Sequence, residues 1–206
     1  MEWFRRFGDI PGVDFAGDPR VKRSTLPGHD DVPKIISYEF QGKRHKGLSW
    51  SFGNGSGSAS PAQRHHSDVK RDATSSELLL HMMEGLELPG TASDYHFIIQ
   101  GCAEGLWARR REEPDVFEIV EKLCWLDLRL IQARPSSISI DAGSNEIFVR
   151  VIAFQRLIDL YEREGFLREA LDVAKIAVAF QQGDRYAERL RDRIATLDAE
   201  NAVPSN

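Results

Sequence analysis

Residues 150–197 read RVIAFQRLIDLYEREGFLREALDVAKIAVAFQQGDRYAERLRDRIATL, and this stretch decides the fold. Phe154, Leu157, Ile158 and Tyr161 recur at i, i+3, i+4 and i+7, the spacing of one face of an amphipathic helix. Gly165 ends the run, because glycine takes up the left-handed conformation past a helix end without a Cβ clash. A second apolar face follows in Ala170, Val173, Ala174, Ala177 and Val178. Alanine lets two helix axes come close, so the bulky Phe154, Leu157 and Tyr161 pack into the space opposite. A turn this short forces the two helices antiparallel. A third helix, from Asp184 to about Leu197, carries Tyr186, Leu190, Ile194 and Leu197 as its apolar stripe.

Phe154, Leu157, Tyr161, Gly165, Ala170 and Ala177 stand at the spacings of the tetratricopeptide repeat signature, so the stretch resembles one such repeat of about 34 residues. It departs from the pattern at Ile158, where the family prefers a small residue, and at Gln181-Gln182-Gly183, which replaces the usual closing proline. Arrays of this family often end in an extra helix that covers the last exposed face. The resemblance implies stacked hairpins whose concave face holds a peptide or a partner helix.

Working outward, Thr74-Ser75-Ser76-Glu77 is a capping box ahead of a helix from Ser75 to Glu84, ended by Gly85. Ser93 is expected to cap a longer helix, Asp94 to about Glu112, with Phe97, Ile98, Cys102, Gly105, Leu106 and Trp107 as its stripe. Pro114 suits the first turn of the next helix, which carries Phe117, Val120, Leu123, Cys124, Leu126, Leu128 and Ile131 and stops at Arg134-Pro135. This pair resembles a degenerate second hairpin of the same kind. Ser136 to Asn145 links the two hairpins, with Ile138 and Ile140 expected to tuck inward. The expected fold is therefore mainly α. Residues 75–206 form a domain of antiparallel helical hairpins, like tetratricopeptide repeats, with a C-terminal capping helix. Residues 1–74 form an irregular region that includes a small β-hairpin.

In that region Trp3, Phe4 and Phe7 are expected to dock on the body as an aromatic plug, and the Gly, Pro and Asp density of residues 8–33 signals turns. KIISYEF (34–40) and LSWSF (48–52) alternate as strands, and the two read as a hairpin with one apolar face laid on the helices. Lys43-Arg44-His45-Lys46 is its basic tip. Gly53 to His66 reads as a mobile Gly/Ser linker, since it lacks the Gly-Lys-Ser/Thr ending of a phosphate loop. Arg64-His65-His66 with His81 or Asp68 matches no zinc spacing, and adjacent histidines point apart on most backbones. No metal or cofactor is expected.

No apolar run approaches the roughly 20 residues that span a bilayer, and the first residues lack a secretory apolar core, so a cytoplasmic location is expected. Cys102 and Cys124 lie in expected helices without a CxxC or histidine neighbour and read as buried free thiols. Residues 1–74 carry 12 Lys/Arg against 9 Asp/Glu, and residues 75–206 carry 15 against 23. An acidic helical half repels phosphate and argues against a nucleic-acid face there. The expected function is protein binding. The expected contact residues are the outward polar side of the first helix in each hairpin: Gln100, Glu104, Arg150, Gln155, Arg156 and Asp159. Arg150 and Arg156 suit acidic groups. The alternative is an enzyme or a nucleic-acid-contacting unit built from His29-Asp30-Asp31, Lys43 to Lys46 and Arg64-His65-His66. That reading requires these groups to converge in a cleft.

Overall fold

Helices α5 (Ile152–Glu164) and α6 (Leu167–Ala179) form the expected hairpin in the computed structural model, which describes residues 2–40, 42–70, 72–138 and 149–202. Gly165 takes φ +83°, and the last carbonyls of α5 are met from the turn. Phe166 N–H donates to Tyr161 O at 2.8 Å and Gly165 N–H to Glu162 O at 3.3 Å. Phe154, Leu157 and Ile158 are buried with Ala170, Val173, Ala174 and Ala177. Tyr161 is partly buried against the same core. Its hydroxyl turns to the preceding helix α4 (Val116–Ala133), donating to Glu121 Oε1 at 2.5 Å and accepting from Trp125 Nε1 at 2.9 Å.

Helix α7 (Asp184–Ala202) packs on α6, and Gly183 sets how closely. A Cβ there would sit 2.3 Å from Ala174 O and 2.6 Å from Val178 N, so no side chain fits. Ala187 and Leu190 of α7 are buried, but Leu197 is 40% exposed; the expected stripe reaches the core only near its start. Gln182 replaces the absent proline with a polar clamp. Its Oε1 accepts from Val151 N–H and its Nε2 donates to Val149 O, both at 2.9 Å, which fixes the entry to α5.

Helices α2 (Ser75–Leu86) and α3 (Ala92–Arg109) precede α4, and α2 to α7 pack one on the next in chain order. Thr74 and Glu77 form the expected capping box. Two boundaries differ from the sequence reading. Gly85 lies inside α2, where it leaves room for His65 and Ile98 rather than ending the helix. Thr91, not Ser93, caps α3, because Asp94 answers it in a second capping box. Phe97 faces out, and Tyr95, His96 and Ile99 take its expected place inside. Ile138 is buried as expected; Ile140 lies outside the described residues. No helix among the described residues is long and apolar enough to cross a membrane.

The turn between α2 and α3 is buried, and its polar groups are met from far along the chain. Phe4 and Gly90 exchange two backbone hydrogen bonds at 2.9 and 3.1 Å. Ala62 N–H donates to Pro89 O at 3.1 Å, Tyr95 Oη to Leu88 O at 2.8 Å, and Arg23 Nε to Glu87 O at 3.1 Å. Phe7 is enclosed between Phe15 and Tyr95, with ring centroids at 5.1 and 5.5 Å. Phe4, Phe7, Ile10, Val13 and Leu26 thus belong to the same hydrophobic core as the helices.

Strands β1 (Lys34–Phe40), β2 (Lys43–Phe52) and β3 (Gly55–Gly57) form an antiparallel sheet in that order. The register corrects two expectations. Lys43 to Lys46 pair with β1 as strand residues, and the reversal falls at Gly42, φ +72°. Ile36 lies opposite Gly47, while Ile35 lies opposite Leu48. Side chains alternate faces along a strand, so Ile36, Tyr38 and Phe40 share one face and Leu48, Trp50 and Phe52 the other. Leu48 and Trp50 are buried, Trp50 against Trp3 at 5.7 Å, and all of β1 is exposed.

The stretch read as a linker is also ordered. Gly55–Gly57 pairs with β2 through its backbone, which needs no side chains. Helix α1 (Pro61–Ser67) follows, with Ser60 capping it from 3.0 Å and proline in its first turn. Arg64 is held by Ala59 O at 2.8 Å and Asp31 at 3.3 Å.

These contacts rank three substitutions. Gly183→Ala is expected to destabilise by roughly 1–3 kcal/mol or more, since rigid backbone meets the new methyl, and Ala174→Leu by about 1–3 kcal/mol through overpacking. Gly165→Ala, with open space around it, loses only the left-handed preference, about 1 kcal/mol. Urea unfolding midpoints at unchanged slope check the order.

Candidate functional site

The six polar residues expected on the helical face come together, and most of them bind one another. Arg156 forms a two-pronged pair with Glu104, Nε to Oε1 at 2.7 Å and Nη2 to Oε2 at 3.0 Å, joining α5 to α3. Its guanidinium also lies over the Trp107 ring at 4.9 Å. Gln100 Oε1 accepts from Ile152 N–H at 3.1 Å. Asp159 stands 4.0 Å from Arg156, and Arg150 donates to Gln155 on the exposed surface. Farther along, Glu162 takes Arg189 and Arg193 of α7 at 2.6 and 3.3 Å. One polar stripe of α5 is thus tied to α3 on one side and α7 on the other. The first N–H groups at the start of α5, which would otherwise draw an anion, are met by the amides of Gln100 and Gln182.

The basic and histidine-rich groups converge only in part. A cleft of about 510 Å³ takes in Asp31, Phe52, Arg64, His65 and Asp68, with Arg64 lying over the Phe52 ring at 4.9 Å. Lys43 to Lys46 do not line it. His29 stays local, bonded to Leu26 O and paired with Asp30, each at 2.9 Å. His65 and His66 do point apart. The His66 ring lies against Gly101, while His65 stacks on His81 of α2 with centroids at 4.0 Å and stands 3.3 Å from Glu84. Burial, and His81 beside it, hold the His65 imidazole below its usual titration range. Sequence spacing sets the pairing of His65 with His81 aside and gives no sign of Glu84, because only the docking of α1 on α2 brings the three together.

The outer face of the hairpin is the third feature. Ile36, Tyr38 and Phe40 are each more than two-fifths exposed. The His45 ring stacks over Tyr38 at 5.6 Å, with Lys34 and Lys43 on the same face. The outer edge of β1 pairs with no strand among the described residues.

Two buried features lie outside these surfaces. His96 Nδ1 and Asp127 Oδ1 meet at 2.7 Å between α3 and α4, and burial pushes the Asp127 carboxyl up against the opposing pull of that bond. Cys102 and Cys124 are free and buried; burial raises the Cys102 thiol to about 12 and Cys124 higher still. Neither is a thiolate at neutral pH, so neither is an available nucleophile.

Comparison with protein-family models, with curated proteins and with solved structures finds no match to this chain.

Two measurements check this account. Glu104→Gln and Arg156→Met should show a coupling of about 0.5–2 kcal/mol in a double-mutant cycle, reduced from the buried-pair range because Glu104 is partly in solvent. Additive effects would mean the pair contributes nothing. Iodoacetamide at pH 8 should leave both cysteines unmodified in the native protein and alkylate both in guanidinium.

Proposed function

We propose that this chain is a binding module that holds an extended, acidic protein segment along β1, with the helices as its rigid support. The observation that carries the reading is β1 itself. It is exposed along all seven residues, and among the described residues no strand pairs with its outer edge and nothing covers its apolar face. An exposed apolar edge strand invites pairing by other chains, and folds that have no use for one blunt or cover it. Strand addition supplies main-chain hydrogen bonds for affinity, and the alternate side chains Ile36, Tyr38 and Phe40 supply selectivity. Lys34, Lys43, Arg44 and Lys46 against Glu39 favour an acidic partner. The serial packing of α3–α4, α5–α6 and α7 supports the reading of a stack like tetratricopeptide repeats. In this proposal that stack serves as the scaffold, since its polar face is largely engaged in its own ion pairs.

A second reading has its own observation. The stacked Tyr38 and His45 rings, with lysines beside them, suit the bases and phosphates of a single-stranded nucleic acid. Fluorescence anisotropy with an acidic, strand-prone peptide and with a labelled oligothymidine separates the two. Tyr38→Ser/Phe40→Ser is expected to weaken peptide binding about tenfold or more, equivalent to about 1.4 kcal/mol. Arg150→Ala/Arg156→Ala, which alters only the helical face, is expected to leave it unchanged. Loss with the arginine pair alone returns the site to the helices. Binding of the oligonucleotide in place of the peptide selects the second reading.

A further inference from the structure

We propose that His65, His81 and Glu84 form a binding site for one divalent transition-metal ion, zinc by the nature of its donors. The three side chains come from two elements that the fold holds rigidly together. His81 and Glu84 are three residues apart on α2 and so share a face of the helix. His65 reaches them from α1 and lies over Gly85, where a Cβ would stand in ordinary van der Waals contact, 3.5 Å from His65 Cδ2. One donor atom from each residue falls within 4.8 Å of the others. His65 Nε2 and Glu84 Oε2 are already 3.3 Å apart. That is the separation of two ligands at tetrahedral angles on zinc with bonds of about 2.0–2.1 Å.

His81 supplies an independent observation. Its Nε2 is buried and has no hydrogen-bond partner among the described residues. A buried, unsatisfied ring nitrogen costs on the order of 1–3 kcal/mol, and a metal ligated there removes that cost. Two imidazoles and one carboxylate are the donor set of zinc sites that keep a fourth position open. Asp68 borders both the 510 Å³ cleft beside His65 and a second of about 170 Å³ beside His81 and Glu84, so an ion has a way in. The two rings now lie stacked, and His65 Nε2 is within 3.1 Å of His81 O. Parallel rings cannot aim at one point, so loading turns them out of the stack and releases that carbonyl.

Chelator-washed, untagged protein titrated with Zn²⁺ against a chromophoric chelator tests this. One equivalent should bind, with Co²⁺ giving the visible absorption of a four-coordinate ion, and Zn²⁺ should raise the melting temperature. His81→Gln and Glu84→Gln should each weaken binding at least about 100-fold, since loss of a mere supporting contact around a metal costs 10–100-fold. His66→Gln, on the neighbouring residue that points to Gly101, should bind like the unaltered protein. Circular dichroism establishes that each variant is folded. If His81→Gln does not fold, the near-isosteric Glu84→Gln decides. Absence of stoichiometric binding by the unaltered chain, or equal binding by folded Glu84→Gln, overturns the proposal.

Discussion

A buried peptide group must find a hydrogen-bond partner, and in this chain that requirement is concentrated in one turn. Residues 85–90, at the end of α2 and the turn into α3, are buried, and carbonyls and amides buried without partners would cost more than the turn gains from packing. The end of α2 meets only the Glu87 and Leu88 amides, from Glu84 O at 3.1 Å and Gly85 O at 3.3 Å, and the remaining groups need partners from elsewhere. The N-terminal region supplies them instead, from Phe4, Arg23 and Ala62, while Tyr95 reaches back from α3. Gly90 shows how tightly the parts meet, for a Cβ there would stand 2.9 Å from Ala62 Cβ. The position of α1, and therefore of His65, follows from this arrangement. So does the anchoring of the sheet, since Trp3, one residue before the Phe4–Gly90 bridge, packs on Trp50.

The helices were legible because their signals are local. A capping box at Thr74 and a left-handed glycine at Gly165 act within a few residues of themselves. One local signal, the Thr91–Asp94 capping box, is overlooked in favour of Ser93; the other departures depend on partners farther along the chain. Each strand's alternation was right, but which apolar sets share a face is fixed by register, and the reversal at Gly42 sets Ile36 against Gly47. The Gly/Ser stretch looked mobile because its order rests on backbone pairing and on Ala62 under the buried turn. Its own text held a clue in Ser60-Pro61, a cap followed by a proline in the first helical turn. For the site, the face shared by Gln100, Glu104 and Arg156 could be read from periodicity. That they would engage one another could not, because this depends on how α3 and α5 pack. The convergence of His65 with His81 and Glu84 lay equally beyond any spacing rule.

The two proposals place different tasks on different parts of one body. The hairpin offers backbone edge and apolar side chains at the surface, where a partner finds them. The histidine cluster sits between clefts, where a small ion is shielded from bulk water. Both depend on the scaffold for geometry, and the ion pairs along α3, α5 and α7 help hold that scaffold in register. None of these features needs a reactive thiol, in keeping with the deep burial of both cysteines.

The buried turn also bears on the order in which the molecule assembles. Contacts within α5, α6 and α7 join residues near one another in the chain, so closing them costs little loop entropy. The Phe4–Gly90 bridge joins residues 86 positions apart and completes only after α2 and α3 have presented the turn. The residues around Phe4 thus belong to the last contacts made. Until that docking occurs, Leu88 and Tyr95 face solvent, and the nascent chain carries an uncovered apolar surface at the point where its finished form is most completely enclosed.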